Sequence, residues 1–376
     1  MGLSRILRGA AAVCLLVGMT VAGPTVASDA GKDGSKPYTG DRFDTYFLRK
    51  SPTRELIGYV GQERANRIRA NGATATNLRW EAGTGPLVVE TQKVGYQLIR
   101  AGIAANNDEW VALGLTAIEW GLQDKVLGPD ANFPEEREYD TTLGHALHPR
   151  SIFLDSASHS VLMIRQARLP EALKARAEAL APAILRAGRS FISTGDADKF
   201  FKNSVNSSQL AFIAVAIHQA GLVGGDLELQ ARAKGYMQTL MALQGPDGAF
   251  LEKDGFDAIY QLNTLELTTA YASTLTDPVW RNAVMGYNRR GSAWFMGRVS
   301  ADGVVNTTGS LRQQPCGDPI LGNFAKGLDI DAIPIRLYYF AWLDGRVGRM
   351  GPIADDIQFV GQRFDHIGHC EIDDED

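Results

Sequence analysis

Residues 244–271 read QGPDGAFLEKDGFDAIYQLNTLELTTAY, and the fold turns on this stretch. It opens on a Pro246-Asp247-Gly248 turn signal and crosses a loop carrying Asp247, Glu252, Asp254 and Asp257. Beyond the loop, Tyr260, Asn263, Thr264, Leu267 and Tyr271 recur at helical spacing, so they share one helix face. That face has a polar head and an apolar remainder. The pattern predicts a helix whose start lines a cleft and whose body is core. The plainer reading is a capped loop feeding a core helix.

Working outward, the same period recurs along most of the chain. Helices are predicted over Thr53–Asn71, Val88–Ala105, Glu109–Gln123, Leu154–Gln166, Pro170–Phe191, Asn206–Ala220, Leu227–Leu243, Tyr260–Ser273, Val279–Met296 and Ala332–Trp342. The helix from Asn206 is apolar nearly all round, which marks it as buried, and Asn206 with Gln209 has the form of a capping box. The stretch GPDANFPEEREYDTTLGHALHPR, with breakers at both ends, reads as a long loop. Strand signals are confined to Val304-Val305 and Ile357–Val360. The fold class is therefore all-α. Turns at Asp130–Phe133, Asp247–Phe250 and Asp302–Val305 each follow a helix and end in an apolar plug. A helical hairpin repeated with such turns predicts a toroid, a closed or nearly closed ring of helix pairs spanning residues 41–365.

Composition sets the broad class. The chain has 376 residues, 45% hydrophobic and 22% charged, and a formal charge of −5. This is ordinary for a globular protein and gives a nucleic-acid role no electrostatic support. Arg5 and Arg8, the apolar run from Gly9 to Val21 and the small residues Thr25-Val26-Ala27 read as a secretory signal over residues 1–28. Its loss, with both arginines, would take the charge to −7. Residues 29–40 are polar and Gly-rich, a disordered linker by composition, and residues 366–376 form an acidic tail. No later stretch reads as a membrane span, so a secreted or periplasmic monomer is expected. Cys316 and Cys370 would then be the remaining cysteines, able to pair if their geometry allows. Neither His145/His148 nor His366/His369 has zinc-like spacing to cysteines, so no metal is expected, and no cofactor.

Helix pairs joined by D-G-x-F turns, as at Asp247-Gly248-Ala249-Phe250, resemble the (α/α) toroid carbohydrate enzymes. Those include alginate-lyase-like and chondroitin-lyase-like enzymes and several glycoside hydrolases. The resemblance implies a single-domain polysaccharide lyase. In that branch an Asn at an inner-helix start neutralises a uronate carboxylate, a His and a Tyr act as base and acid, and an Arg assists. Carried onto this chain, it points to Asn206 as the Asn and Tyr260 as the Tyr. The chain departs from the pattern in lacking a His between turn and Tyr; Lys253 stands near that place.

The chemistry can be weighed on the residues themselves. β-Elimination from a uronate needs donors that stabilise the charge developing on the carboxylate, a base for the proton and an acid for the leaving oxygen. Asn203 and Asn206 suit the first task, although Asn206 reads equally well as an N-cap. Tyr260, His159 and Lys253 suit the others. His159 shares a face with Leu162 and Met163, where a histidine is more often a core residue, and His218 lies in a buried helix. Arg312, Asn263, Gln261, Glu252 and Asp257 complete the candidate substrate-binding set. A negative protein taking an acidic polysaccharide or oligosaccharide needs a locally basic cleft, for which Lys199, Lys202, Lys253, Arg289, Arg290 and Arg312 are the candidates. Hydrolysis is the alternative, by two carboxylates among Asp247, Glu252, Asp254, Asp257, Asp155 and Glu266. A non-catalytic glycan-binding protein, stacking sugars on Trp80, Trp110, Trp120, Trp280, Trp294 or Trp342, is the third reading.

Overall fold

The computed structural model describes residues 61–131, 133, 143–298, 304–311 and 318–319, apart from residues 63 and 254. Arg312, both later cysteines, Trp342 and the expected elements at Ala332–Trp342 and Ile357–Val360 lie outside the described residues. So do the stretches expected to be a signal, a linker and an acidic tail.

The described part is mostly helical, as an all-α chain should be. Residues 61, 62 and 64–67 are helical, within the expected first helix, and after them come α1 (Ala75–Glu81), α2 (Val94–Ala105, after a 3-10 turn at Val89–Lys93), α3 (Asp108–Gly121), α4 (Asp124–Leu127), α5 (Leu143–Gln166) and α6 (Glu171–Glu178). They continue with α7 (Ala181–Ser193), α8 (Asp196–Asn203), α9 (Ser207–Gly224), α10 (Leu227–Met241), α11 (Ala258–Thr274) and α12 (Pro278–Met296). Two short strands, β1 (Val304–Val305) and β2 (Asp318–Pro319), pair antiparallel with Val304 opposite Pro319.

Helix α9 is the hub. It packs against α5, α7, α10 and α11, and along it only Gln209, Phe212, Leu222 and Gly224 keep any exposure. Its composition and length would suit a membrane span, but here its apolar surface is spent on neighbouring helices. Helices α2, α5, α9 and α11 are neighbours in that order. Each is followed by a helix with one exposed face: α3 packs on α2, α6 and α7 on α5, α10 on α9, and α12 on α11. The α2–α3 pair approaches closely because Gly95 and Gly114 face each other; a Cβ on either would lie 2.6 Å from the other's carbonyl oxygen.

Connections from the inner row outward are short and tightly capped. Asn106 and Gly225 end α2 and α9 in the left-handed region, and Asn107, Asp226 and Asp277 then start α3, α10 and α12 by accepting backbone N–H bonds. Connections back to the inner row are long: residues 122–142 with α4, 194–206 with α8, and 242–257. The long segments all lead into the N-terminal ends of inner helices.

The 244–250 turn shows how such a segment is fixed. Gly248 has φ 104°, and a Cβ there would lie 2.4 Å from the Arg290 carbonyl oxygen, so the turn sits directly on the α12 backbone. Gln261 is 1% exposed; its Oε1 accepts from Phe250 N at 2.7 Å, and its Nε2 donates to the carbonyls of Gly248 at 3.0 Å and Gly291 at 3.3 Å. Gln244 Nε2 adds bonds to the carbonyls of Gly248 and Tyr287. Phe250, the expected apolar plug, is buried. Between α11 and α12, fully buried Asn288 accepts from Thr268 Oγ1 at 2.7 Å and donates to Thr269 Oγ1 at 3.1 Å.

Several sequence expectations change. Helix α5 begins at Leu143 and runs through Pro149, where a loop to Arg150 was expected; burial of Leu147 and Phe153 outweighs the breaker signals. The span Pro170–Phe191 is two helices, with Pro182 marking the start of α7. Helices α1 and α8 were not anticipated. The capping box at Asn206 does not form: its side chain takes no backbone N–H, and its Nδ2 donates to Gln209 Oε1 at 3.3 Å.

Replacing Gln261 with Leu, close in volume, strands the buried Phe250 N–H and removes one of the two side-chain donors to the Gly248 carbonyl. Urea unfolding should show a loss of about 2–4 kcal/mol for Gln261→Leu. A loss under about 0.5 kcal/mol would mean that the clamp is dispensable.

Candidate functional site

The inner helices carry polar side chains on their least buried faces. On α5 these are His148, Asp155 and His159; on α9, Gln209 beside Phe212; on α11, Tyr260, Asn263 and Glu266. Each set follows helical spacing, so each is one stripe. Helix α2 contributes half-buried Tyr96 and buried Arg100.

Three of these helices meet through their stripes. The rings of Tyr96 and His159 stack at 5.4 Å and 29°. The Arg100 guanidinium lies 5.8 Å from the centre of the Tyr96 ring, on its cation-attracting face. Gln219 Nε2 approaches His159 Nδ1 at 3.4 Å. Nearer the start of α5, the His148 ring meets Phe212 of α9 edge-on at 5.0 Å. His159 is therefore not an isolated core histidine: it sits where α2, α5 and α9 converge.

At the N-terminal ends of α9 and α11, several sequence candidates have structural duties. Glu252 is 4% exposed, and its Oε1 accepts from Ser208 N at 2.6 Å, within the first turn of α9. Ser207 donates both its backbone N–H and its hydroxyl to the Leu251 carbonyl. The side chain that serves the start of α9 is thus Glu252, supplied by a distant loop. Asp257 is 2% exposed and accepts from Tyr260 N at 3.0 Å, which caps α11. Asn203 is exposed at the end of α8, donating to the Lys199 carbonyl. Lys253 is exposed and holds φ 53°, a left-handed conformation that is uncommon for a lysine.

The structure thus gathers Asn206, Glu252 and Lys253 at the start of α9, and Asp257, Tyr260, Gln261 and Asn263 at the start of α11. His159 lies further along its helix. The other basic candidates are spread out: Lys199 and Lys202 on α8, Arg289 and Arg290 on α12, all exposed. Sequence reading missed Tyr96, Arg100, Gln209 and His148 as members of the stripes. The period joining His148 to Asp155 and His159 becomes visible only once the helix is carried through Pro149. Among the tryptophans, Trp120 is core and donates to Glu81, whereas Trp294 stays half-buried beside Phe256.

His218 belongs to the packing. It is 3% exposed, its Nε2 pairs with Thr274 Oγ1 at 2.9 Å, and its ring meets Tyr271 edge-on. Burial pulls its pKa down to about 4, so the ring is neutral near pH 7. Burial likewise pushes the Tyr271 hydroxyl up to about 12, while that oxygen accepts from Trp280 Nε1.

Compared with family models, curated proteins and solved structures, the chain matches none of them. Functional inference therefore rests on the residues themselves.

The depressed His218 pKa has a definite sign. Below pH 6.5 the unfolded chain takes up a proton that the folded chain refuses until about pH 4, so stability falls as pH drops through that window. His218→Gln keeps a donor and removes the titration. Between pH 6.5 and 5 the wild type should lose about 2 kcal/mol that the variant keeps, read from urea midpoints. Parallel losses in the two proteins would contradict the assignment.

Proposed function

We propose that the helix row is part of an (α/α) toroid, and that the protein is an exported enzyme cleaving an acidic polysaccharide by β-elimination at the N-terminal ends of the inner helices. The alternation of inner and outer helices supports the toroid. What supports the chemistry is the composition of the inner faces: Tyr260 and Asn263 on α11, His148 and His159 on α5, and Arg100 with Tyr96 on α2, against a rim whose own carboxylates Glu252 and Asp257 serve as helix caps.

In this reading an amide from Asn206 or Asn263 bears on the substrate carboxylate. Its donors stabilise charge as it moves off the ring carbon. Tyr260 takes the proton beside the carboxylate, with His159 or Lys253 as the other candidates for base. The C–H electron pair becomes the new carbon–carbon double bond, the bond to the glycosidic oxygen breaks, and that oxygen accepts a proton from Tyr260. The cost of holding Lys253 in a left-handed turn is the kind of local strain that functional loops retain.

Hydrolysis is the second reading. Glu252 and Asp257 cap helix starts, whereas Asp155 on α5 and Glu266 on α11 are half-buried carboxylates on the inner faces of the described residues. One would act as acid and the other as base or nucleophile.

Incubation with a panel of uronate polysaccharides separates these readings. Elimination predicts rising ultraviolet absorbance from the conjugated double bond, reduced by about 100-fold or more in Tyr260→Phe. Reducing ends without absorbance, abolished by Asp155→Asn or Glu266→Gln, would move the assignment to hydrolysis. Retained glycan affinity with neither product would make the protein a binder.

A further inference from the structure

Beside the start of α11 lies an arginine that has no part in the proposed elimination. Arg298 follows α12, and its guanidinium carbon lies 4.4 Å from the Phe256 ring centre and 4.5 Å from that of Trp294. The two rings meet at 5.0 Å and 77°, so the guanidinium packs into the angle between them. Its Nη1 donates to the Asn306 carbonyl at 3.1 Å and the Thr308 carbonyl at 3.0 Å. One nitrogen and two ring faces therefore fix the plane of the group. Its Nε and Nη2 donate no hydrogen bond among the described residues, and the side chain remains half-buried, not sealed.

The surroundings tie this group to the candidate site. Leu311 N donates to the Phe256 carbonyl at 2.8 Å, and Ser310 Oγ accepts from Ala258 N at 3.1 Å. Phe256 precedes the Asp257 cap whose partner is Tyr260 N. The loop held by Arg298 is thus the loop that covers the start of α11. Partial burial pulls the Arg298 pKa down and the Asp247 charge opposes that, but no carboxylate forms an ion pair with Arg298 among the described residues. Holding a guanidinium flat and partly desolvated, with one two-donor edge unused, matches what planar recognition of a carboxylate requires.

We propose that Arg298 is a carboxylate-binding subsite for an acidic sugar, its Nε and Nη2 forming a two-pronged hydrogen bond to one uronate while the sugar ring lies against the half-buried rings of Phe256 and Trp294. This rests on the reading of the rim as a site for acidic polysaccharide and adds the residue that reads the acid. Among the basic candidates named from sequence that lie within the described residues, none packs a guanidinium between two aromatic rings as Arg298 does. A sequence reader would pass over Arg298, because what distinguishes it is the pair of aromatic rings brought to it by the fold.

The test uses the full chain and oligosaccharides from polygalacturonate, alginate and hyaluronan, each beside its carboxyl-reduced, neutral counterpart. Affinity is measured by calorimetry, and ultraviolet-absorbing product is followed in the same samples. At least one acidic oligosaccharide should bind more tightly than its neutral counterpart. Arg298→Gln should weaken that binding by about 100-fold, and Arg298→Lys, which keeps the cation and the stem but loses the fork, by about 10-fold. Neither should change affinity for the neutral counterpart. Equal losses on acidic and neutral sugars, no loss on either, or no acidic oligosaccharide bound would overturn the proposal. Discrimination as expected without absorbing product would keep the subsite and remove the elimination reading. Product formed equally by Arg298→Gln and wild type would do the reverse.

Discussion

The start of α9 is buried, and a buried helix start must find partners for backbone N–H groups that its own turns cannot satisfy. The chain does not solve this locally. Leu251 and Glu252, on the far side of α10, reach back to Ser207 and Ser208. That requirement fixes where the 242–257 segment lies, and so where α11 begins. Gln244 and Gln261 then lock the segment's turn onto the α12 backbone, which Gly248 and Gly291 allow to come close. A single demand for hydrogen-bond satisfaction thus places the starts of two inner helices side by side.

The same demand reassigns the acidic residues of the opening stretch. On sequence, Glu252 and Asp257 look like a dense patch of solvated or catalytic carboxylates. In the fold both are almost wholly buried and accept backbone N–H groups at helix starts. On the stripes of the inner helices, imidazoles, phenols, amides and a guanidinium outnumber carboxylates. The fold also separates the histidines: His218 is neutral packing, whereas His148 and His159 stand on the half-buried face of α5.

Much of the helical architecture was legible because the apolar period is strong. The buried character of α9 and the rough extents of α2, α3, α10, α11 and α12 follow from it directly. Breakers misled where tertiary burial prevailed, as at Pro149, which lies inside α5. They were under-read at Pro182, where the ring's fixed φ begins α7. Short amphipathic helices such as α8 carry too few residues for a period to show. The candidate site was legible at Tyr260 and Asn263, whose helix face was plain. The roles of Glu252 and Gln261 were not, because their partners are distant in sequence and no local pattern marks a side chain that satisfies another segment's backbone. Arg100 and Tyr96 escaped for a related reason: one turn of α2 gives no hint that it meets His159.

The central claim is that the polar stripes of α2, α5, α9 and α11 bound one ligand-binding region while His218 stays in the packing. Histidine side-chain NMR during titration with a uronate oligosaccharide tests this most directly. The account predicts that the His148 and His159 ring resonances shift together, with one saturation curve, while those of His218 stay still. Saturable binding that leaves His148 and His159 unmoved, or moves His218 equally, would contradict it.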